Sequence, residues 1–129
     1  MKATKGQIED KISKEITSFY ATELGVGPKQ SKTYLIDDMV IVRLKGKLLP
    51  IEENLLKLTG QKGIELVKKI RESFDQVTAE KLSTLISKIT GCNVISAHSD
   101  ISTRTREKMQ IFVLDRNLQK QLEKDLELK

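Results

Sequence analysis

The stretch from Gly25 to Leu56 restricts the fold more than any other part of this sequence. It enters through Gly-Val-Gly-Pro, continues as two short β runs at 31–36 and 39–45, and leads into Leu-Pro-Ile-Glu-Glu-Asn-Leu. The Asp37-Asp38 pair between the runs suits the two-residue loop of a β-hairpin. Pro50 suits the first turn of a helix, where its missing N–H costs nothing. The stretch therefore predicts a tight hairpin followed by a short helix.

Helical patterns lie on both sides of this hairpin. Apolar residues recur at helical spacing over 7–24, and a glycine that can end the helix follows. A short helix is expected over about 50–58, with a break over 59–63. A further apolar stripe then covers 64–89, either as one helix or with a kink or new cap at Thr78.

A second strand pair and a terminal helix complete the chain. Asn93–Asp100 and Lys108–Leu114 predict a hairpin joined by a polar loop. Apolar side chains of the later run point to both faces, which is typical of a strand inside a sheet or at an interface. Leucines four residues apart then predict a short helix over about 116–127, which docks on the body or on a partner chain.

The predicted order of elements is α-β-β-α-α-β-β-α, which indicates an α+β fold. We expect a two-layer sandwich in which helices pack on a four-stranded antiparallel or mixed sheet. The length of 129 residues fits one domain, 1–129, with a core over about 7–115. The apolar strand at 109–114 and the terminal helix favour a homodimer.

Composition excludes several classes of protein. Lys and Arg number 23 against 18 Asp and Glu, so the net charge of +5 permits contact with an anionic partner without requiring it. No apolar run is long enough to span a bilayer. The first residues lack the apolar region of a secretory signal, so we expect a cytoplasmic protein.

Chemistry-bearing residues are scarce. The sequence has one histidine, His98, and one cysteine, Cys92, which together cannot build a zinc site within one chain. Ser96 and Asp100 share a strand face with His98, whereas Ser99 points to the opposite face. Cys92 follows a glycine and has no cation beside it in sequence, which favours a small semi-buried residue over a reactive thiol. We therefore expect no catalytic residue, no metal and no cofactor.

Other short motifs have structural explanations. The adjacent carboxylates Asp37-Asp38 and Glu52-Glu53 suit a turn and the positive end of a helix dipole. Gly25-Val-Gly-Pro follows a helix and enters a strand, whereas phosphate-binding loops run from a strand into a helix. These patterns do not predict an enzyme.

Basic residues gather around the first hairpin. Charge on an edge hairpin protects it against aggregation. The same charges also suit an anion or an acidic partner, and the fork of Arg43 is the best single group for such a contact. The candidates for a partner or anion contact are Lys29, Lys32, Arg43, Lys45 and Lys47.

The segment Gly60-Gln61-Lys62-Gly63 supports an alternative function. KH domains hold the backbone of RNA with a GxxG loop between two helices. The predicted order α-β-β-α-GxxG-α-β is similar to the bacterial form of that fold, and Lys62 suits a phosphate contact. Aromatic residues for base stacking are few, with three Phe, two Tyr and no Trp.

Seven motifs together resemble those of a known family. They are Gly25-Val-Gly-Pro28, Val40-Ile-Val-Arg-Leu-Lys-Gly46, Leu49-Pro-Ile-Glu-Glu-Asn-Leu55, Gly63-Ile-Glu-Leu-Val-Lys-Lys-Ile-Arg71, Thr90-Gly-Cys-Asn-Val94, Ser99-Asp-Ile-Ser102 and Ile111-Phe-Val-Leu114. Through these motifs the chain resembles, over residues 7–115, the MpsC-type domain, the third component of a sodium-translocating, membrane-potential-generating system. The resemblance implies a small cytosolic bacterial protein associated with membrane partners of the sodium or inorganic-carbon transport type. It implies no catalytic residues.

Together these observations favour a non-catalytic accessory or regulatory protein that acts through protein contacts. A KH-like RNA-binding module that uses Gly60–Gly63 is the alternative. An enzyme would depend on His98, and a small-molecule sensor would depend on a cleft between the two layers.

Overall fold

The computed structural model describes residues 3–58 and 60–127, and the predicted order of elements is confirmed over them. The helices are α1 (Lys5–Glu23), α2 (Pro50–Leu55), α3 (Lys62–Thr90) and α4 (Leu118–Glu127). The strands are β1 (Gln30–Ile36), β2 (Met39–Lys45), β3 (Val94–Ser102) and β4 (Glu107–Leu114).

The strands form one antiparallel sheet in the order β1-β2-β4-β3. Ile36 pairs with Met39, so the first hairpin has the two-residue loop that the sequence predicts. Asp37 takes a positive φ of 55° there, a conformation that aspartate tolerates better than most residues. The strand that is apolar on both faces, β4, lies inside the sheet as expected.

The core lies between one face of the sheet and the helices. Val40, Val42 and Leu44 alternate along β2 toward the helices, as their period of two predicts. The helices bury their apolar stripes against this face; the contributing residues are Ile8, Ile12, Ile16 and Tyr20 from α1, Leu82 and Ile86 from α3, and Leu118 and Leu122 from α4.

Helix α1 begins earlier than its apolar stripe indicated. Thr4 caps it, because its hydroxyl accepts from the Gln7 N–H at 3.2 Å and the Gln7 side chain accepts from the Thr4 N–H at 2.9 Å. This reciprocal pair stabilises the first turn. Helix α4 docks on the body of the same chain, and Gln119 accepts from the Asp37 N–H at 2.7 Å.

Helix α3 is continuous over 29 residues, so no new cap interrupts it at Thr78. The Thr78 hydroxyl donates to the Phe74 carbonyl at 2.8 Å, which satisfies it without breaking the helix. Helix α2 ends at Leu55, a few residues before the expected end near residue 58.

Candidate functional site

The sheet face away from the helices, which we call the open face, carries apolar rows that run across the strands. Among the described residues, the buried partners of α1, α3 and α4 all lie on the opposite face, so no helix covers this one. Tyr34 and Ile36 are 38% and 42% exposed. The rows are Ile36, Met39 and Val113, then Tyr34, Ile41 and Ile111, then Met109.

The other end of the open face is charged. The Arg43 Nε donates to Glu107 Oε2 at 2.8 Å, and this bond raises the pKa of Arg43. Lys45 Nζ lies 3.9 Å from the same carboxylate oxygen. Lys32 Nζ lies 5.8 Å from the centroid of the Tyr34 ring. Lys32, Arg43 and Lys45 therefore share one face, next to the apolar rows.

The remaining basic candidates flank the strand ends at the same end of the hairpin. The Lys29 N–H donates to the Lys45 carbonyl at 2.8 Å, and Lys47 follows two residues later. Gly46 permits this close approach, because a Cβ there would lie 3.0 Å from the Pro28 Cα. The predicted basic cluster is thus brought to one end of the hairpin, partly on the open face and partly beyond it.

The Gly60–Gly63 segment is only partly a loop. Lys62 and Gly63 form the first turn of α3, and Gly63 is buried. A Cβ on Gly63 would lie 2.0 Å from the Leu55 carbonyl oxygen, so glycine is required where α3 meets α2. Gly60 has a φ of 72°. Both glycines thus have a backbone reason, while Lys62 remains an exposed cation for the predicted RNA contact.

A buried ion pair joins α2 to α3. Arg71 donates to Glu52 from Nε at 2.6 Å and from Nη2 at 2.8 Å, and Glu52 is fully buried. Glu52 Oε1 also accepts from the Leu49 N–H at 2.7 Å. The expectation that Glu52 serves the helix start is therefore incomplete, because its carboxylate also neutralises a buried guanidinium.

A second polar cluster lies between α3 and the sheet. Lys108, which is buried, donates to Asp75 Oδ1, and the Ser99 hydroxyl donates to Asp75 Oδ2 at 2.6 Å. Gln110 Nε2 donates to the Tyr20 hydroxyl at 2.8 Å. Lys108 Nζ lies 5.2 Å from the centroid of the Tyr20 ring.

Burial perturbs two groups of this cluster. Burial lowers the pKa of Lys108, and the Asp75 charge opposes that change. Burial also raises the pKa of Tyr20 well above its ordinary value, with the Asp75 charge adding to the rise. The raised pKa keeps the Tyr20 hydroxyl uncharged near neutral pH, whereas the lowered pKa brings the titration of Lys108 closer to neutral pH.

A cavity of about 460 Å³ opens between α3 and β3, beside this cluster. Its walls include Asp75 and Ala79 from α3 and Ala97 from β3, and its floor includes Leu82 and Phe112. The volume lies within the range of small-molecule pockets.

His98 lies on the exposed edge strand. Its Nε2 lies 3.3 Å from the Ser96 hydroxyl, so the prediction that these residues share a face is confirmed. The Asp100 carboxylate contacts Lys68 at 3.4 Å and the Ile101 N–H at 2.9 Å. Within residues 3–58 and 60–127 the structure gives no hydrogen bond between His98 and Asp100, so the serine, histidine and aspartate do not form a hydrogen-bonded chain.

Cys92 is more buried than expected, and it has a cation beside it. The Arg116 Nε donates to Cys92 Sγ at 3.2 Å. Arg116 lies 24 residues further along the chain, so local sequence did not predict the contact. A second Arg116 bond, to the Gly91 carbonyl, fixes the guanidinium against this turn.

Sequence reasoning missed the polar residues of the core. Along β4, Lys108 and Gln110 alternate with the open-face residues and lie on the same strand face as Phe112 and Leu114. Arg71 and Asp75 are four residues apart on α3, in phase with Ala79. The sequence did contain one indication, since these polar residues occupy positions that face the core. A buried polar side chain usually has a hydrogen-bond partner, so partners for them could have been expected.

Comparison with known proteins identifies the family. A family model described as "Na+-translocating membrane potential-generating system (MpsC)" matches residues 4–116, which is most of the chain. This chain belongs to the MpsC family. The match confirms the resemblance drawn from the sequence motifs.

The MpsC-family chain is also similar to a Bacillus subtilis (strain 168) protein that bears the name "Uncharacterized protein YbcI". The two are 41% identical over 126 residues, which cover 98% of this chain and 100% of that protein. No solved structure matches this chain. Within the described ranges, no helix combines the length and the apolar content that a membrane span requires.

Proposed function

We propose that this MpsC-family protein is a non-catalytic accessory or regulatory protein of the cytoplasm that acts through protein contacts in a membrane-potential-generating system. The description of its family names such a system. The observation that carries the proposal is the open face, an apolar surface with a charged end. Uncovered apolar patches of this kind are typical of interaction sites.

The occupant of the open face in this proposal is a second copy of the chain. A two-fold axis parallel to the strands, passing between β2 and β4, would place β1 over the partner's β3 and β2 over the partner's β4. Rotation about this axis leaves the position of each row along the strand direction unchanged, so each row meets the same row of the partner. Ile41 then lies over the partner's Ile111, and Met39 over the partner's Val113, so the apolar centres of the rows meet. At the edges, Ile36 and Tyr34 lie over the partner's Ser96 and the partner's His98.

The charges fit the same two-fold arrangement. Lys32 and Asp100 stand in one row on opposite edges of the sheet, so Lys32 would lie over the partner's Asp100. Lys45 would lie over the partner's Glu107 for the same reason. Isologous interfaces require this kind of self-complementarity, in which opposite charges exchange places.

The size of the face also supports a dimer. Strand spacing and rise give the face a flat area on the order of 400 Å². With side chains included, a face-to-face pair would bury on the order of 1,000 Å² in total, where specific interfaces begin. Two sheets can pack in this way about 10 Å apart.

Dimerisation would also assemble the basic cluster. An axis parallel to the strands leaves the charged ends of both copies at the same end of the dimer. Lys29 and Lys47, which lie beyond the strand ends, would then be doubled on one surface. This surface is the proposed contact for an acidic segment of a membrane partner, because clustered cations steer acidic partners.

The test is restoration of membrane potential in B. subtilis that lacks YbcI. We expect this chain, expressed at matched abundance, to restore the potential measured with a voltage-sensitive dye in sodium medium. An Ile111→Glu variant should fail, because a carboxylate in the apolar rows of both copies disfavours their contact.

The matched control is Val77→Glu, which places the same charge at an α3 position that is 80% exposed. This variant should restore the potential as the unmodified chain does. An unchanged potential in the strain without YbcI, or full restoration by Ile111→Glu, would contradict the proposal.

A further inference from the structure

Small side chains from both elements line the cavity between α3 and β3. Ala79 on the helix and Ala97 on the strand both line it, and both are exposed. Larger residues at these positions would fill the space. The cavity floor is apolar, since Leu82 and Phe112 are almost fully buried beneath it.

One buried polar atom at this cavity has no protein partner. Gln110 is 3% exposed, and its Nε2 is used by the Tyr20 hydroxyl. Its Oε1 accepts no hydrogen bond from any residue that the structure describes. A buried carbonyl without a donor is costly, and native proteins rarely leave one. Gln110 lines the cavity but its Oε1 is covered, so a molecule in the cavity can supply the missing donor once the amide turns toward it.

The charged groups around the cavity favour a cation. Its cationic groups are already paired, Arg71 with Glu52 and Lys68 with Asp100. Glu72 at the rim, by contrast, has no ion pair within 3–58 and 60–127 among those that the structure gives. The Gln76 amide and the His98 ring also line the cavity and can donate or accept hydrogen bonds. The unpaired charge left to a ligand is therefore the Glu72 carboxylate, and the Gln110 carbonyl oxygen is a further acceptor.

We propose that this cavity binds a small organic amine in its ammonium form, with an aromatic or branched apolar body. The ammonium donates to Gln110 Oε1 and is favoured by the Glu72 charge, while the apolar body packs on Leu82 and Phe112. This site lies between α3 and the edge strand β3, and its binding does not require the membrane role, although His98 and Asp100 line it from the strand that the proposed dimer also uses.

The test is titration of the full chain with benzylamine, followed by amide NMR shifts. We expect saturable shifts at Ala79, Ala97 and Ser99, with the millimolar affinity of a small fragment. Benzoate, which has the opposite charge, should bind about tenfold more weakly or less. A cavity that holds only water would give no saturable shift, and this result would overturn the proposal.

Two variants locate the site. Ala97→Leu fills the cavity from the exposed strand and should weaken benzylamine binding about tenfold or more without unfolding the chain. Ala21→Leu, an exposed substitution on α1 away from the cavity, should leave binding unchanged. Equal binding by Ala97→Leu and the unmodified chain would overturn the proposal.

A third pair of measurements tests the role of charge. Glu72→Gln should weaken benzylamine several-fold but leave the neutral analogue benzyl alcohol unaffected. Gln110→Leu removes the acceptor and should weaken both ligands about tenfold. Benzoate binding as tightly as benzylamine would contradict the assignment of an amine.

Discussion

At the scale of single residues, buried charges are the least expected feature of this small protein. Glu52 is fully buried, yet it accepts a two-pronged bond from Arg71 and a further bond from the Leu49 N–H. Lys108 is buried as well, with Asp75 as its counter-ion. Such groups are tolerated only when a partner offsets the loss of water.

Asp75→Asn should therefore destabilise the fold. The substitution leaves Lys108 buried without its counter-ion, at a cost of about 2–3 kcal/mol, the low end for buried pairs because Asp75 is partly exposed. Urea unfolding at one fixed protein concentration measures this loss. Adding Lys108→Met should bring the free energy of unfolding to within about 1 kcal/mol of the unmodified chain. No recovery in the double variant would contradict the account.

The same pair predicts a pH dependence. Because the pKa of Lys108 is lowered in the folded state, the unfolded chain binds more protons between that pKa and the ordinary value near 10.5. Its contribution to stability therefore rises with pH across this window. Asp75→Asn lowers the folded-state pKa further, so its destabilisation should shrink from neutral to alkaline pH. A destabilisation independent of pH would contradict this assignment.

The sequence shows which residues are charged, but it did not predict which cation pairs with which carboxylate. Glu52 and Asp75 meet cations that come from other elements, Arg71 from α3 and Lys108 from β4. Such contacts depend on how the elements cross, and a local pattern does not contain that information.

At the scale of elements, α2 and α3 approach each other closely where α3 begins. Gly63 is the second residue of α3, and a Cβ there would lie 2.0 Å from the Leu55 carbonyl oxygen. The helix can begin at Lys62 only because this position has no side chain. The sequence suggested a loop with a nucleic-acid role here, whereas packing supplies a structural reason for the glycine.

Gly63→Ala should destabilise the protein by about 2 kcal/mol or more, because the backbone must move to avoid the clash. Gly6→Ala is the matched control, since Gly6 is also the second residue of its helix and nothing lies within 4 Å of the added Cβ. That change should stabilise by about 0.5 kcal/mol through helix propensity. Thermal unfolding of both variants measures the two changes in stability. Equal changes for Gly63→Ala and Gly6→Ala would contradict the packing argument.

Most bounds of the helices and strands were predictable, because the spacing of apolar residues and the turn or cap residues indicate the same bounds. The strands matched closely, since alternation along 39–45 and the Asp37-Asp38 turn point to the same register. The start of α1 was missed because Thr4 and Gln7 extend the helix beyond its apolar stripe. The sequence did not decide whether α3 is one continuous helix, because a threonine such as Thr78 is compatible with either a cap or a helix interior.

At the scale of the whole molecule, the helices cover one face of the sheet and leave the other open. The α+β order and the single sheet followed from the pattern of strands and helices. The sequence left strand order undetermined, because hairpin patterns do not say which hairpins become neighbours. The apolar residues of β4 suggested a strand inside a sheet or at an interface; β4 lies inside the sheet, and the open face is the contact surface that we propose.

The two-fold arrangement makes a prediction about charge. Lys32 and Asp100 lie on opposite edge strands, about 14 Å apart by strand spacing, so they interact little within one copy. In the proposed dimer Lys32 lies near the partner's Asp100. Lys32→Asp should weaken dimerisation about tenfold, given two exposed pairs per dimer.

Combining Lys32→Asp with Asp100→Lys should restore dimer affinity, because the charges are exchanged across the interface. Asp100→Lys alone is the control, because Asp100 also forms an ion pair with Lys68 of the same chain and this variant measures the effect of losing that pair. Additive effects in a sedimentation assay would contradict the proposed axis.

The basic end predicts a separation of assembly from function. Lys29→Glu combined with Lys47→Glu should leave the dimer intact, because both residues lie beyond the paired strands. The variant should fail to restore membrane potential in cells that lack YbcI. Flotation with phosphatidylglycerol vesicles checks the kind of partner. Binding to vesicles that this variant loses would contradict an acidic protein as the partner.

The most direct test of the central claim is sedimentation velocity of the unmodified chain, Ile111→Glu and Val77→Glu over a range of concentrations. The account predicts a dimer for the unmodified chain and for Val77→Glu, and a folded monomer for Ile111→Glu. Circular dichroism of the same samples verifies that the monomer keeps its secondary structure. A monomeric unmodified chain at every concentration, or a dimer that persists in Ile111→Glu, would contradict the open face as the contact surface.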